Sequence, residues 1–396
     1  MKLGEFVTLQ RGHDLTESER RSGTVPVMGS AGMNGTHDTA KAEGPGVVVG
    51  RSGGSFGQVH YCTKDFWPHN TALYVTNFHG NDPRFVFYLL KAIDFSGYNS
   101  GSAQPSLNRN FVYPIVIEAP HPDEQRAIAR VLGSLDDKIE LNRRLNRTLE
   151  ELAAALFRSW FVEFDPVVAK AAGRKPAHLR SELAALFPAT FQDSPLGPIP
   201  HGWEVKTIED IARYVNGRAF TKGASGTGRM VIRIAELNSG PGGSTVYSDI
   251  AAEPENVAQP GDLLFAWSGS LDVYRWYRDE AIINQHIFKV ICEKYPQWFV
   301  HQHLLEAISF FQDIAADKAT TMGHIKREHL SQAYLALPPK DLLDAADEIF
   351  QPLYAKQLAN ERESLTLAAM RDTLLPRLLS GELRVKQAEK LVDASR

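Results

Sequence analysis

Cysteine is scarce in this sequence, with only Cys62 and Cys292 among 396 residues. The two are far apart and each stands alone, so the sequence supports neither a disulfide framework nor a cysteine-ligated zinc site. No stretch reaches the roughly eighteen apolar residues of a membrane-spanning helix, and no cationic start precedes an apolar core. We therefore expect a soluble, cytoplasmic chain without a membrane segment.

An excess of positive charge is also missing. The chain has 43 Lys and Arg against 47 Asp and Glu, a net charge of −4, and residues 1–119 hold ten basic and ten acidic residues. This balance excludes a protein that binds nucleic acid over its whole surface, so any such binding must be local.

Recognisable catalytic motifs are absent. Residues 50–57, GRSGGSFG, resemble a phosphate cradle but lack the Gly-Lys-Ser/Thr ending, which favours a tight turn between strands. His301 and His303 fall on different faces of a helix with no carboxylate cluster beside them. No methyltransferase motif or Gly-x-Ser-x-Gly elbow is present. We predict no active site, no cofactor and no bound metal.

One acidic group imitates the triad of a metal-dependent nuclease. Asp123 is followed by Asp136 and Asp137, but carboxylates at a helix start also complement the helix dipole. A second copy of this stretch has Tyr354 and Ala355 in place of the last two acids. A structural role is therefore the favoured interpretation.

That second copy is the main feature of the sequence. Residues 121–160 recur 218 positions later without a gap, which indicates two related halves. Matched pairs include Asp123 with Asp341, Ala127 with Ala345, Leu135 with Leu353, Arg144 with Arg362 and Leu156 with Leu374.

Both copies have the apolar period of a helix that packs on another helix. In the first copy this heptad seam is formed by Ile128, Val131, Leu135, Leu145, Leu149, Leu152 and Leu156. Lys138 and Asn142 interrupt the seam, and Lys356 and Asn360 interrupt the second copy at the same positions. Polar seam residues fix register, so we expect these four to align the helices. An ordinary buried helix with polar ends is the alternative.

Poor helix formers occupy equivalent places in the two copies, at Gly133-Ser134 and Gln351-Pro352. They predict a fresh helix start, with Ser134 and Asp137 as a capping box. The long helices are then expected at residues 135–160 and 353–378, each roughly 40 Å long.

Mixed domains precede each helical copy. Residues 1–119 predict a short helix at 3–9, short strands, a helix at 83–95 and a last strand at 112–117. Residues 201–337 repeat this plan, since Arg51-Ser52-Gly53 matches Trp267-Ser268-Gly269. The expected domain order is 1–119, a helical spacer at 120–161, a connector at 162–200, 201–337, a second spacer at 338–384 and a tail at 385–396.

Several motifs in this order resemble the DNA specificity subunit of type I restriction–modification enzymes. They are residues 26–38 (PVMGSAGMNGTHD), 46–61, 67–71 (WPHNT), 104–110 (QPSLNRN), 120–139, 197–205 (GPIPHGWEV) and 261–270 (GDLLFAWSGS). The resemblance covers nearly the whole chain. One departure is that nothing before residue 3 matches the Gly202-Trp203 start of the second domain, so the C-terminal tail is expected to help support the first.

The resemblance implies an α+β fold with two target recognition domains separated by two long helices packed as an antiparallel coiled coil. Each domain would read one half of a bipartite site in double-stranded DNA. The helices would dock two methyltransferase subunits, and a separate ATP-dependent subunit would supply restriction and translocation. The chain itself would be non-catalytic. The alternatives are a nuclease or methyltransferase with an unrecognised site, and a coiled-coil scaffold without a DNA role.

We expect base contacts from polar loop residues that differ between the halves, because Arg, Asn and Gln can each form two hydrogen bonds with one base. The candidates are Asn34, His37, Arg51, Ser55, Gln58 and His60 in the first domain, and Arg218, Lys222, Trp267, Ser270, Tyr274 and Arg275 in the second.

Overall fold

The computed structural model describes residues 1–100, 105–317 and 323–393. Gln104, the first residue of one motif, and residues 394–396 of the predicted tail lie outside the described residues. The helices are α1 (Leu3–Phe6), α2 (Pro83–Ala92), α3 (Arg109–Val112), α4 (Pro122–Phe157), α5 (Asp165–Ala171), α6 (Ser181–Leu186), α7 (Ile208–Ile211), α8 (Ile234–Ser239), α9 (Gln297–Asp317), α10 (Lys340–Leu379) and α11 (Val385–Asp393).

The strands are short and fall between these helices. They are β1 (Thr8–Arg11), β2 (Val25–Gly29), β3 (Gly32–His37), β4 (Gly46–Gly50), β5 (Val59–Cys62), β6 (Trp67–Pro68), β7 (Ala72–Asn77), β8 (Phe191–Gln192), β9 (Ile199–Pro200), β10 (Glu204–Thr207), β11 (Arg213–Asn216), β12 (Arg229–Ile232), β13 (Tyr247–Ser248), β14 (Val257–Ala258), β15 (Leu263–Ala266), β16 (Asp272–Arg275), β17 (Ala281–Ile283), β18 (Ile287–Ile291) and β19 (Tyr334–Leu337). The predicted α+β class is confirmed.

The chain forms two compact units. Unit 1 comprises Met1–Glu140 and Thr366–Arg396, and unit 2 comprises Leu141–Leu365. Each unit therefore includes part of both long helices. In unit 1, helix α11 contributes Ala388 and Val392 to the same core as Leu3 and Phe6 of α1, so the C-terminal tail does support the first domain.

The two units repeat one sheet topology. Unit 1 has an antiparallel sheet in the order β1-β7-β4-β5, and unit 2 has the matching order β11-β18-β15-β16. A second sheet has the order β3-β2-β6 in unit 1 and β13-β12-β17-β14 in unit 2, and each contains one parallel pair, β2 with β6 and β12 with β17. The duplication predicted from the helices thus extends to the strands.

Some local predictions for unit 1 were wrong. The expected strand at 112–117 is absent: Val112 ends α3, and only a single bridge joins Val116 to Lys2. The opening helix ends at Phe6 rather than residue 9, because the chain continues into strand β1. By contrast, residues 50–57 form the predicted turn, which connects the antiparallel strands β4 and β5.

Both long helices are continuous, so the predicted fresh starts were wrong. Gly133 lies within α4, where a Cβ atom would be 2.6 Å from Cζ of Arg84. Its role is to admit Arg84, whose Nη2 donates to the Gly133 carbonyl oxygen at 3.0 Å. Ser134 bonds to Val131 within the helix and forms no cap. Pro352 lies inside α10 at an exposed position and does not end the helix.

The seam between the helices also differs from the prediction. Leu145 and Leu152 are exposed, with 36% and 45% of their surface accessible. The buried positions of α4 instead run through Ile139, Asn142, Asn146 and Ala153. The predicted seam is correct at Ile128, Val131, Leu135 and Asn142, which are buried, and wrong at Leu145 and Leu152.

Buried amides join α4 and α10 within unit 2. Asn142 Nδ2 donates to the Asn360 carbonyl oxygen at 3.3 Å and to Ser364 Oγ at 3.3 Å. Asn360 Nδ2 donates to Asn146 Oδ1 at 2.8 Å, and Asn146 Nδ2 donates to the Gln357 carbonyl oxygen at 3.2 Å. Residue numbers fall along α10 as they rise along α4, so the pairing is antiparallel.

The predicted lysine partners of this register lie elsewhere. Lys138 is half-buried and Lys356 is exposed. The buried residue on that turn of α10 is Gln357. The buried asparagines and the residues they bond supply polar contacts between the helices in unit 2, and the register role of the four predicted residues stays a prediction.

Asp136 and Asp137, which resemble part of a nuclease triad, form hydrogen bonds and ion pairs with side chains of unit 1. Asp136 accepts from the Tyr88 hydroxyl at 2.5 Å and pairs with Arg371 of α10 at 2.5 Å. Asp137 pairs with Arg84 at 2.6 Å. Burial, reinforced by the Asp136 charge, raises the pKa of Tyr88, so this hydroxyl stays protonated and donates. These carboxylates hold α2, α4 and α10 together.

The two histidines of α9 belong to the core of unit 2. His301 Nδ1 lies 2.7 Å from the Tyr354 hydroxyl. His303 is buried between the rings of Phe157 and Phe299, and its Nε2 has no hydrogen-bond partner. Burial lowers the pKa of His303 to about 3. A neutral ring is required there, because protonation would place an uncompensated charge among aromatic side chains.

We expect Asn146→Leu to lower the stability of unit 2 by about 1–3 kcal/mol, because Asn360 Nδ2 would lose its buried acceptor. Adding Asn360→Leu should cost less than the sum of the single variants, since both partners are then apolar. Urea unfolding of the four proteins of this cycle measures the coupling. Gln351→Leu, an exposed change on α10, is the control; if it costs as much as Asn146→Leu, the buried amides do not align the helices.

Acidification should destabilise unit 2 through His303. The unfolded histidine gains a proton near pH 6.5 and the folded one near pH 3, so stability is lost as pH falls through this window. His303→Phe stays neutral and should reduce the loss between pH 7 and pH 5 by about 2 kcal/mol. Denaturant melts at both pH values test this, with exposed His201→Gln as the control. If His303→Phe loses as much stability between pH 7 and pH 5 as the wild-type protein, His303 does not cause the acid destabilisation.

Candidate nucleic-acid interface

The twelve residues predicted to contact bases differ in exposure and in the hydrogen bonds they form. Asn34, Gln58, Arg218, Lys222 and Ser270 are exposed, and Arg51, Ser55 and Trp267 are half-buried. The remaining four, His37, His60, Tyr274 and Arg275, use their polar atoms inside their own unit. We therefore keep the other eight residues as candidates for base contacts.

His37 and His60 hold strands of unit 1. His37 has 2% of its surface exposed, accepts from the Arg21 amide at 3.1 Å and packs edge-on against Trp67. His60 Nε2 lies 2.9 Å from the Ser30 carbonyl oxygen, next to the turn between β2 and β3. Their hydrogen bonds serve the fold, and we remove both from the proposed base contacts.

Tyr274 and Arg275 are engaged within unit 2. The Tyr274 hydroxyl donates to Asn238 Oδ1 at 2.5 Å. Arg275 donates to Gln357 Oε1 at 2.9 Å and to the Tyr354 carbonyl oxygen at 3.1 Å, and its guanidinium lies over the Tyr354 ring. Arg275 thus fastens strand β16 to α10, and both residues leave the proposed set.

Arg51 and Trp267 occupy equivalent backbone positions. The Arg51 amide donates to the Thr71 carbonyl oxygen at 2.9 Å, and the Arg51 carbonyl oxygen accepts from Leu107 at 2.7 Å. In unit 2 the Trp267 amide donates to His286 at 3.1 Å and its carbonyl oxygen accepts from Ile325 at 3.0 Å. Two dissimilar side chains therefore project from the same place in one framework.

The ends of β1 and β11 reach this place in the same way. Gly12 donates to the Ala72 carbonyl oxygen at 3.0 Å, and Gly217 donates to that of Ile287 at 2.9 Å. At either glycine a Cβ atom would collide with a backbone carbonyl, that of His69 or of Asn284. Glycine is required here by the close approach of two backbones.

Around Arg51 these elements enclose an open cleft in unit 1 of about 1020 Å³. Its lining includes Arg11, His13, Asn108 and Arg109. Arg11 Nη2 lies 3.5 Å from Asp14 Oδ1 in an exposed pair, and Arg51 Nη1 donates to the Asn70 carbonyl oxygen at 3.4 Å. Three guanidinium groups and one carboxylate, that of Asp14, line the cleft, so it is locally positive in a chain with net charge −4.

The equivalent place in unit 2 has a different set of side chains. Asn216 and Arg218 flank Gly217, and Asn216 Oδ1 accepts from Trp267 Nε1 at 2.9 Å. Lys326 and Arg327 begin the next segment and form exposed ion pairs of 3.4 Å with Glu328 and Glu209. Arg11, His13, Asn108 and Lys326 escaped the sequence prediction. An offset of 205, which matches Gly12 with Gly217, would have paired Arg11 with Asn216 and His13 with Arg218, whereas Asn108 and Lys326 already match at the offset of 218.

Over the described ranges, no cluster of three or more His, Cys, Asp or Glu side chains could hold a metal ion. The same part of the chain has no helix long and apolar enough to span a membrane.

Comparison with known proteins agrees with this architecture. The family model described as the type I restriction modification DNA specificity domain matches residues 1–151 and 200–366. The specificity subunit of the type I restriction enzyme MjaIX of Methanocaldococcus jannaschii is 26% identical over 325 residues, covering 76% of this chain and 69% of that protein. The HindI specificity subunit of Haemophilus influenzae is 24% identical over 361 residues, covering 76% and 77%.

A solved structure supports the fold. The type I restriction–modification S subunit from M. genitalium aligns with a TM-score of 0.58 at 16% identity, covering 96% of this chain and 95% of that one. The family model matches most of the chain, once in each half, and confirms the resemblance carried by the sequence motifs. The chain belongs to the family of type I restriction–modification DNA specificity subunits.

Proposed function

We propose that this chain reads a bipartite site in double-stranded DNA, with each unit contacting one half. The observation that carries this proposal is the repetition of one backbone framework with different polar side chains at matched positions, such as Arg51 and Trp267. A framework that is kept while its exposed side chains change is suited to reading two different sequences. Local positive charge in the unit 1 cleft supplies affinity for phosphates that the whole chain lacks.

The same proposal makes the chain non-catalytic. Asp136 and Asp137 are the residues that most resemble a nuclease site. They form ion pairs with Arg371 and Arg84, so their role is structural. Base modification would then come from two methyltransferase subunits, and cleavage and translocation from an ATP-dependent subunit. The relatives named above are specificity subunits, which supports this division of labour.

The test is binding and methylation by the chain together with its methyltransferase partner. Methylated positions in host DNA should define a split motif, and the chain alone should neither cut nor methylate a duplex. Activity of the purified chain alone would favour the enzyme alternative. A complex that binds all duplexes equally would favour the scaffold.

An exposed apolar stripe on α4 supports the docking of a partner. Leu141, Leu145 and Leu152 lie on one face of the helix with 58%, 36% and 45% of their surface accessible. Spacings of four and seven residues bring them into line, whereas the exposed Arg143 and Arg147 lie on the opposite side of the helix. A row of leucines left in water is typical of a protein interface. We assign it to a methyltransferase subunit.

We expect the double variant Leu145→Glu and Leu152→Glu to lose at least tenfold in affinity for the methyltransferase, because two charges would be buried at the interface. Thermal unfolding should be unchanged, since both leucines are exposed. Sedimentation or titration calorimetry with the purified methyltransferase measures the effect. Ala154→Glu, on another exposed face of α4, is the control, and equal binding by the two proteins would contradict the assignment.

A further inference from the structure

We propose that DNA bases are read at one structurally equivalent place in both units, which we call the reading cleft. In unit 1 it consists of Arg11, His13, Arg51, Asn108 and Arg109; in unit 2 it consists of Asn216, Arg218, Trp267, Lys326 and Arg327. This inference rests on the proposed function and narrows it. The wider set of predicted loop residues becomes a defined site in each unit.

Four backbone hydrogen bonds define the equivalence. Each cleft is formed by three parts of the chain. They are the glycine that follows β1 or β11, the residue that follows β4 or β15, and the segment whose backbone bonds to that residue. Bonds from Gly12, His13, Arg51 and Leu107 in unit 1 have counterparts from Gly217, Arg218, Trp267 and Ile325 in unit 2. The acceptors are also matched, since Ala72, Pro68 and Thr71 correspond to Ile287, Ile283 and His286.

Side chains change at four matched positions although the backbone does not, whereas Arg109 and Arg327 are the same residue type. His13 is replaced by Arg218, Arg11 by Asn216, Arg51 by Trp267 and Asn108 by Lys326. Side chains that served only the fold would be expected to match where the backbone bonds match. Exchange of charge, size and aromatic character at one fixed place is the pattern of a specificity-determining surface.

The unit 1 cleft suits a guanine flanked by phosphates. Arg51 donates from Nη1 to Asn70 at 3.4 Å, and a guanidinium has five N–H donors, so donors remain for the two acceptors on guanine in the major groove. The Arg11 and Asp14 pair is exposed and 3.5 Å long. An exposed ion pair of this kind stabilises the fold little, so Arg11 can readily exchange it for a contact with a phosphate. We assign Arg51 to a base and Arg11 to the backbone.

The unit 2 cleft lacks that base-reading arginine. Trp267 occupies its place, with its ring near His286 and Phe288 and its Nε1 donated to Asn216. A ring held in this way offers apolar and stacking surface, which suits a thymine methyl group better than guanine. Arg218 is exposed beside it and is assigned to a phosphate. The two half-sites should therefore differ at the base that faces Arg51 or Trp267.

Methylation patterns and binding by the full chain with its methyltransferase test this. Arg51→Ala should relax one base position in one half-site, and lower affinity for the preferred duplex by about 5- to 150-fold. The other half-site should stay unchanged. Arg218→Ala should weaken preferred and scrambled duplexes alike and reduce the slope of log affinity against log salt by about one.

Exposed arginines outside the clefts provide matched controls. Arg21→Ala in unit 1 and Arg174→Ala in the connector remove the same charge without touching either cleft. The proposal that bases are read in this cleft is refuted if Arg51→Ala and Arg21→Ala have the same base preference, the same affinity for DNA and the same unfolding temperature. A wild-type complex without any preferred sequence would instead overturn the proposed function.

Discussion

Backbone hydrogen bonds that are independent of side-chain identity hold both units in the same form. The bonds from Gly12 and Gly217, and those on either side of Arg51 and Trp267, link the same elements in each unit. Such bonds must be made wherever the backbone is buried, because an unpaired buried amide is costly. Because the framework is secured in this way, side chains at its edge can differ without loss of the fold.

By contrast, the two long helices are joined by hydrogen bonds of particular side chains. Asn142, Asn146 and Asn360 are buried where leucine would give more apolar contact. Their hydrogen bonds across the helices are satisfied at one alignment and lost if either helix slides by one turn. We expect these asparagines to fix the register at some cost in apolar contact, as single polar positions do in coiled coils.

Sequence reasoning found the features that depend on repetition. Two long helices, two mixed domains and the turn at residues 50–57 follow from offsets and local patterns. It failed where tertiary contacts override local preference. Gly133 appeared to break a helix because the sequence cannot show that Arg84 fills the space beside it. The seam was misplaced at Leu145 and Leu152 because the buried Asn146 resembles a surface residue, and His37 appeared to be a loop residue although Trp67 covers it.

The discontinuity of unit 1 has a consequence for synthesis. Its core includes Leu3 and Phe6 near the beginning of the chain and Leu374 and Ala388 near its end, whereas unit 2 is one continuous segment, Leu141–Leu365. On the ribosome unit 2 emerges whole before the last elements of unit 1 appear. The first 140 residues therefore cannot complete their core, and part of their apolar surface stays uncovered, until unit 2 has been translated. Truncation near the C-terminus would damage the unit that was made first.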